Sequence, residues 1–197
     1  MVGVGHRDVS TAVLGTEIAM PIVIAPMAMQ GMAHDAAERG MAGAARSADT
    51  VMVLSTISNT PIEEVVAARK GPVWFQLYVF QDRGATADLV RRAEAAGVQA
   101  LVVTVDVPVL GQREADLRNQ FAMPAHLSLP NVPDGGAPMT KASPGAESAL
   151  NAYAHCQLDP DLSWSDINWL RTITSLPIVV KGVMHPDDAR LAFGHGA

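Results

Sequence analysis

The feature that most constrains this chain is a rhythm of short apolar runs separated by helical stretches. Ile22–Ala25, Val51–Leu54, Val73–Leu77, Ala100–Thr104 and Ile178–Val180 are too short to be helices, and none has a polar alternate face along its length. Runs of this kind read as strands buried on both faces. Between them, Ala36–Ala48 is rich in alanine, and Ala85–Ala96 carries Leu89, Val90 and Ala93 at helical spacing before Gly97. Ser163-Trp164-Ser165-Asp166 opens a helix running towards Thr172, and Pro186–Phe193 forms another that Gly194 closes. Thr60-Pro61-Ile62-Glu63 reads as a helix start, with Thr60 as N-cap, Pro61 at the first helical position and Glu63 completing a capping box. Near the beginning, Thr11–Leu14 and Thr16–Ala19 flank Gly15 as a small hairpin. Doubly buried strands alternating with helices imply parallel βαβ units, either as an open doubly wound sheet or as a (β/α)8 barrel. No G-x-G-x-x-G follows the first strand, which weakens the dinucleotide-binding sheet.

The rhythm breaks at residues 111–160. Pro, Ser, Gly and Asn dominate Leu129–Pro144, so this part reads as a long mobile excursion within one domain, either a functional lid or a disordered loop. The 197 residues carry a formal net charge of −6, which disfavours a nucleic-acid partner because little would neutralise phosphates. One cysteine, Cys156, excludes a disulfide framework within the chain and suits a reducing, cytoplasmic compartment. Residues 18–33 are uncharged, but they are too short to span a bilayer and are interrupted by Pro21, Pro26, Gln30 and Gly31. The start, Met1 to Asp8, has no apolar core and does not read as a secretory signal.

Side chains alternate between the two faces of a strand. Val53 and Ser55 therefore share a face, as do Trp74, Gln76 and Tyr78, then Val102, Thr104 and Asp106, then Val179 and Lys181. In each set the early residue is apolar and the late one polar. The polar groups gather at the C-terminal ends of the strands, where barrels and open α/β sheets alike place their active sites. Lys181 is a cation suited to an anionic cofactor or a Schiff base. Asp106 suits orienting a histidine or binding a metal. Arg113 can grip a carboxylate with two hydrogen bonds, or form a surface ion pair with Glu114 or Asp116. Tyr78 offers a hydroxyl to a substrate oxygen, or sits at the core edge.

Six segments in order give the chain a family likeness: Ile24-Ala25-Pro26-Met27-Ala28-Met29-Gln30, Leu54-Ser55, Phe75-Gln76-Leu77-Tyr78, Thr104-Val105-Asp106-Val107-Pro108, Gly111-Gln112-Arg113-Glu114-Ala115-Asp116 and Val180-Lys181-Gly182-Val183. The set resembles the FMN-dependent α-hydroxy-acid oxidases and dehydrogenases, which act on glycolate, lactate, mandelate and related acids. The resemblance implies a (β/α)8 TIM barrel with FMN at its C-terminal mouth, oxidation of a small (S)-2-hydroxy acid to the 2-oxo acid, a homo-oligomer when complete, and no metal. It implies flavin contacts from Pro26, Met27 and Ala28 through backbone groups, and flavin-ring hydrogen bonds from Ser55, Gln76 and Thr104. Lys181 matches the lysine at the flavin N1–O2 edge. Tyr78 and Arg113 match the groups that hold the substrate hydroxyl and carboxylate, and Asp106 matches the carboxylate that orients the catalytic histidine. Ile57 stands where some members carry an aromatic, so the resemblance does not fix substrate size.

Three parts of the family pattern have no counterpart here: the Ser-Asn-His-Gly-x-Arg segment with the base histidine, the later glycine-rich segments that bind the FMN phosphate, and an N-terminal segment with a substrate-contacting tyrosine. His195-Gly196-Ala197 reads as helix termination, and His34, His126, His155 and His185 read as structural or solvated. Strands beginning near 22, 51, 73 and 100 give roughly 26 residues per unit, so eight units with the excursion need more than about 250 residues. The expectation is an incomplete barrel of about five strand–helix units. The alternative is a catalytically inactive fragment or degenerate copy.

Overall fold

The computed structural model describes residue 3, residues 5–107, residue 111, residues 113–136 and residues 148–197. Pro108 and Gln112 of the motifs above, residues 137–147 of the excursion, and Met1 and Val2 lie outside the described residues.

A hairpin of β1 (Thr11–Val13) and β2 (Thr16–Ile18) precedes a four-stranded parallel sheet of β3 (Met52–Ser55), β4 (Val73–Leu77), β5 (Ala100–Thr104) and β6 (Ile178–Lys181), in that order. The helices are α1 (Ala37–Ser47), α2 (Ile62–Arg69), α3 (Arg83–Ala96), α4 (Glu114–Arg118), α5 (Ala149–Gln157), α6 (Trp164–Ile173) and α7 (Pro186–Gly194). Strands in chain order, each followed by a helix, make this part of a (β/α)8 barrel.

The sheet separates two apolar regions. On the helix side, Leu54, Phe75, Leu77, Leu101 and Val103 pack against α1, α2, α3 and α6 through residues such as Ala42, Ala45, Val65, Val90 and Leu170. On the other face, Val53, Trp74, Val102 and Val179 form a smaller cluster with Ile18 of the hairpin. The hairpin therefore closes the sheet at the N-terminal ends of the strands, where Ala19 N–H donates to the carbonyl of Asp49 at 2.9 Å. The C-terminal ends remain for polar side chains.

Several local expectations are realised. Gly97 ends α3 in the left-handed region at φ +93°, as expected, while the helix starts two residues before Ala85, with Asp82 at its N-cap accepting from the Gly84 and Ala85 amides. Ser163 and Asp166 form a reciprocal capping box on α6.

Three expectations are corrected. Ile22–Ala25 is not a strand of its own; only Ile24 makes a parallel bridge, to Met52. It accepts from Val53 N–H and donates to Val51 carbonyl, each at 2.9 Å. Pro21 and Pro26 bracket the run, and a proline has no N–H for a ladder. Thr60 does not cap α2, which has Pro61 at its N-cap. Its hydroxyl donates to Glu38, while Glu63 pairs with Arg92. The side chain that serves the start of α2 is Asn131, whose Oδ1 accepts from Ile62 N–H at 3.2 Å. Finally, the excursion contains α4 and α5, and buries Met123, Leu129 and Asn131 against the rest of the chain. Its turn-rich composition hid these anchors.

Candidate active site

The parallel register sets the site. Ser55 lies beside Gln76, and Thr104 lies beside Lys181. Gln76 lies beside Val102, so Thr104 stands two residues further along its strand. The length of the Gln76 side chain bridges this stagger: its Nε2 donates to Thr104 Oγ1 at 3.0 Å. Its Oε1 accepts from Ser55 Oγ at 3.3 Å and from Thr56 N–H at 3.2 Å. Ser55 Oγ in turn accepts from Ile57 N–H at 3.1 Å. All three side chains are buried, with Gln76 only 1% exposed. Burying them is tolerable because their polar atoms are paired. Sequence reasoning predicted these three on one face, and they form one continuous chain of hydrogen bonds.

Lys181 ends β6 next to them. Its ammonium lies 3.4 Å from both oxygens of Asp106, and both side chains are about two-fifths exposed (40% and 45%). Gly182 makes this pair possible. It has φ +116°, and a Cβ there would come within 2.6 Å of Asp106 Cβ, so a larger residue would displace the carboxylate.

Tyr78 lies just beyond the end of β4 and is half-buried, packing against the helix-side core. Burial raises its hydroxyl pKa above the usual value; the charge of Asp106 adds to the rise and Arg113 opposes it. Tyr78 therefore lies within electrostatic reach of both. Arg113 precedes α4 and is more than half exposed, with its nearest carboxylate, Asp116, at 3.9 Å. It holds the bland surface pairing the sequence allowed, with its guanidinium largely unengaged.

Pro26, Met27 and Ala28 form the loop after the Ile24 bridge, and Met27 is exposed. The loop is tied to the one following β3 through Met29 N–H, which donates to the Ile57 carbonyl at 2.8 Å. Pro26–Ala28 are thereby held near Ser55.

None of the six histidines pairs with Asp106 among the described residues. His34 accepts from Ala36 N–H, His185 accepts from Asp187 N–H at the start of α7, and His195 stacks on Trp164 with ring centroids 6.0 Å apart. Among the described residues no group of three or more His, Cys, Asp or Glu side chains is arranged to hold a metal.

Among the buried polar residues that the sequence reading did not single out, two tie the mouth together. Glu38 is fully buried in the first turn of α1, and Asn131 is 2% exposed in the excursion. Both bind the loop after β3. Glu38 has the spacing of an ordinary helix-surface acid, and Asn131 sits in a turn-rich stretch, so neither carried a signal along the chain.

The donor set suits a flavin ring system. Among the described residues, the Thr104 hydroxyl hydrogen and the second amide hydrogen of Gln76 are left over from the internal network, and the Lys181 ammonium is engaged by Asp106 alone. Neutral donors beside one cation match a planar ring edge rich in carbonyl oxygens that gains negative charge on reduction.

A parallel α/β sheet with this polar arc at the C-terminal ends of its strands has the layout that barrel enzymes use for their active sites. A family model described as FMN-dependent dehydrogenase matches residues 1–197, and the chain belongs to that family. It is 49% identical to glycolate oxidase of Spinacia oleracea over 197 residues, which is all of this chain and 53% of the relative. A crystal structure of mandelate oxidase with (S)-4-hydroxymandelic acid superposes with a TM-score of 0.90 at 38% identity, over 96% of this chain and 52% of that one. A lactate oxidase structure from Pediococcus acidilactici gives a TM-score of 0.80 at 29% identity, over 99% of this chain and 50% of that one. The chain thus spans about half the length of the relatives it matches.

Proposed function

We propose that this chain forms the flavin-ring and carboxylate-binding part of an oxidoreductase that converts a small (S)-2-hydroxy acid to the 2-oxo acid. The observation that carries the reading is the unbroken arc Ser55–Gln76–Thr104 with Lys181 beside it. Ser55, Gln76 and Thr104 hold the ring system by hydrogen bonds, with the backbone of Pro26, Met27 and Ala28 against it. Lys181 places a positive charge at the ring edge. Bound FMN supplies the two-electron acceptor. Arg113 takes the substrate carboxylate with a forked pair of hydrogen bonds, and Tyr78, its hydroxyl kept protonated by burial, donates to the substrate hydroxyl oxygen. Asp106 orients and charges a basic partner at the same mouth.

No helix among the described residues is long and apolar enough to cross a membrane. A cytoplasmic location and assembly into a homo-oligomer fit the single exposed cysteine and the family likeness, respectively.

A second reading, a chain that binds flavin without turnover, is favoured by the pairing of Asp106 with Lys181 rather than with a histidine. Titrating the chain with FMN and following quenching of flavin fluorescence tests what both readings share; absence of binding overturns both. Anaerobic glycolate, lactate or mandelate then separates them, because bleaching of the flavin requires a base. Arg113→Lys should weaken binding of a 2-oxo-acid product analogue, read from the flavin spectrum, by about tenfold or more, since the forked contact is lost. FMN affinity should remain as in the parent.

A further inference from the structure

We propose that Glu38 is a positioning residue for the flavin site: its buried carboxylate clamps the loop bearing Pro26–Ala28 onto the loop after β3. The inference rests on the flavin reading above and concerns a residue remote from the proposed substrate contacts.

Glu38 is 0% exposed. Its Oε1 accepts from Gln30 N–H at 3.2 Å and from Asn59 N–H at 3.1 Å, and its Oε2 accepts from Thr60 Oγ1 at 2.7 Å. A carboxylate in the first turn of a helix ordinarily serves the free amides of its own helix. Here every donor lies outside α1, and Ala36 at the N-cap provides no side-chain cap. The carboxylate is directed at two separate loops, whose amides it satisfies together. Burying a carboxylate is tolerated only with such pairing, so the two loops and the charge hold one another in place.

Two further bonds run across the same seam. Met29 N–H donates to Ile57 carbonyl at 2.8 Å, and Gly31 N–H to Asn59 Oδ1 at 3.0 Å. The seam is tight: a Cβ on Gly31 would come within 2.9 Å of Asn59 Oδ1 and 3.0 Å of Leu127 Cδ2. On one side of the seam stand Pro26–Ala28; on the other stands Ser55, whose Oγ accepts from Ile57 N–H. A shift at Glu38 therefore moves the backbone against the ring relative to the side chains that hydrogen-bond it.

The test compares Glu38→Ala, Glu38→Gln, Asn59→Ala and Val90→Ala. Val90 is buried in α3, away from the mouth, and its truncation destabilises the core without touching the seam. Amide hydrogen exchange of the chain without flavin should show faster exchange at Gln30 and Asn59 in Glu38→Ala, with Leu101 and Val103 in β5 still protected. The FMN dissociation constant should rise at least about tenfold in Glu38→Ala, less in Glu38→Gln, which keeps one acceptor oxygen, and not at all in Val90→Ala. The visible circular dichroism of the bound flavin should change in the Glu38 and Asn59 variants and stay as in the parent in Val90→Ala. Unchanged exchange and affinity in Glu38→Ala overturn the proposal, as does an affinity loss equal to that of Val90→Ala. Should Glu38→Ala not fold, Asn59→Ala decides: faster exchange at Gly31 with weaker FMN binding supports the seam, and parental values overturn it. Failure of the parent chain to bind FMN overturns the flavin reading instead, and the exchange data separate the two failures.

Discussion

The inner and outer halves of the mouth are built differently. The inner arc, Ser55, Gln76 and Thr104, is fixed by strand register and closed by mutual hydrogen bonds, and all three side chains are buried. The outer group, Tyr78, Asp106, Arg113 and Lys181, stands on strand ends and loops. Only Asp106 and Lys181 pair closely there, and both are substantially exposed. The sheet thus preorganises the side proposed to face the cofactor. It leaves the outer side, proposed to hold the substrate and to charge the flavin edge through Lys181, responsive to whatever charge arrives. Polar groups at an inner arc are held by folding energy, whereas those at an outer one are held by weak, screened interactions.

Cutting the inner arc should therefore cost the most. Gln76→Ala removes two acceptor contacts and one donor contact at a position 1% exposed, and leaves Thr56 N–H without that partner. The expected loss of unfolding free energy is about 2–4 kcal/mol, measured by urea denaturation, and FMN binding should fall with it. A loss near zero would erase the distinction between the halves, because it would mean that the inner arc is no better fixed than the outer.

The same contrast explains what could be read from sequence. Alternation along short strands placed Ser55, Gln76, Thr104 and Lys181 on one face, because a period of two is imposed by the backbone itself. Ile22–Ala25 looked equally strand-like, but its flanking prolines limit pairing to Ile24. Thr60 looked like a helix cap because local patterns assume local partners. Asn131 takes that role from 69 residues away: its Nδ2 also donates to Ser58 Oγ at 2.7 Å and to Thr60 carbonyl at 3.0 Å. Glu38 was illegible for the same reason, with its Asn59 and Thr60 partners 21 and 22 residues distant. Strand periodicity reports which way a residue points. It does not report which distant loop a buried carboxylate or amide will satisfy.

A smaller effect is expected at the boundary between the two halves. Burial, reinforced by Asp106, raises the Tyr78 pKa above the ordinary tyrosine value of about 10. The folded chain thus keeps a proton that the unfolded chain releases as the pH passes about 10. Stability from this source is fully present below that pH and declines as pH rises towards the folded-state value. Tyr153 acts in the same direction, since it is buried and its hydroxyl donates to Asp134 at 3.1 Å. Denaturation midpoints measured between about pH 9 and 11 should fall less steeply in Tyr78→Phe than in the parent, with the remaining slope carried in part by Tyr153. An identical slope would place Tyr78 in water, with the outer group extending further inward than its burial indicates.

The smallest stability effect belongs to Lys181→Met, and there the two halves should separate most cleanly. The Lys181–Asp106 pair is 3.4 Å apart with side chains 40% and 45% exposed, so solvent screens it. Removing the cation should change unfolding free energy by no more than about 0.5 kcal/mol, since exposed pairs contribute little. The same substitution should weaken FMN binding by about tenfold, because a charge that is nearly idle in the free chain gains its partner only when an electron-rich ring edge is placed beside it. Gln76→Ala would then couple folding to binding, while Lys181→Met would lower binding alone. If Lys181→Met instead destabilised the chain as much as Gln76→Ala, the ammonium would belong to the folded scaffold, and its pairing with Asp106 would be structural rather than held in reserve for a ligand.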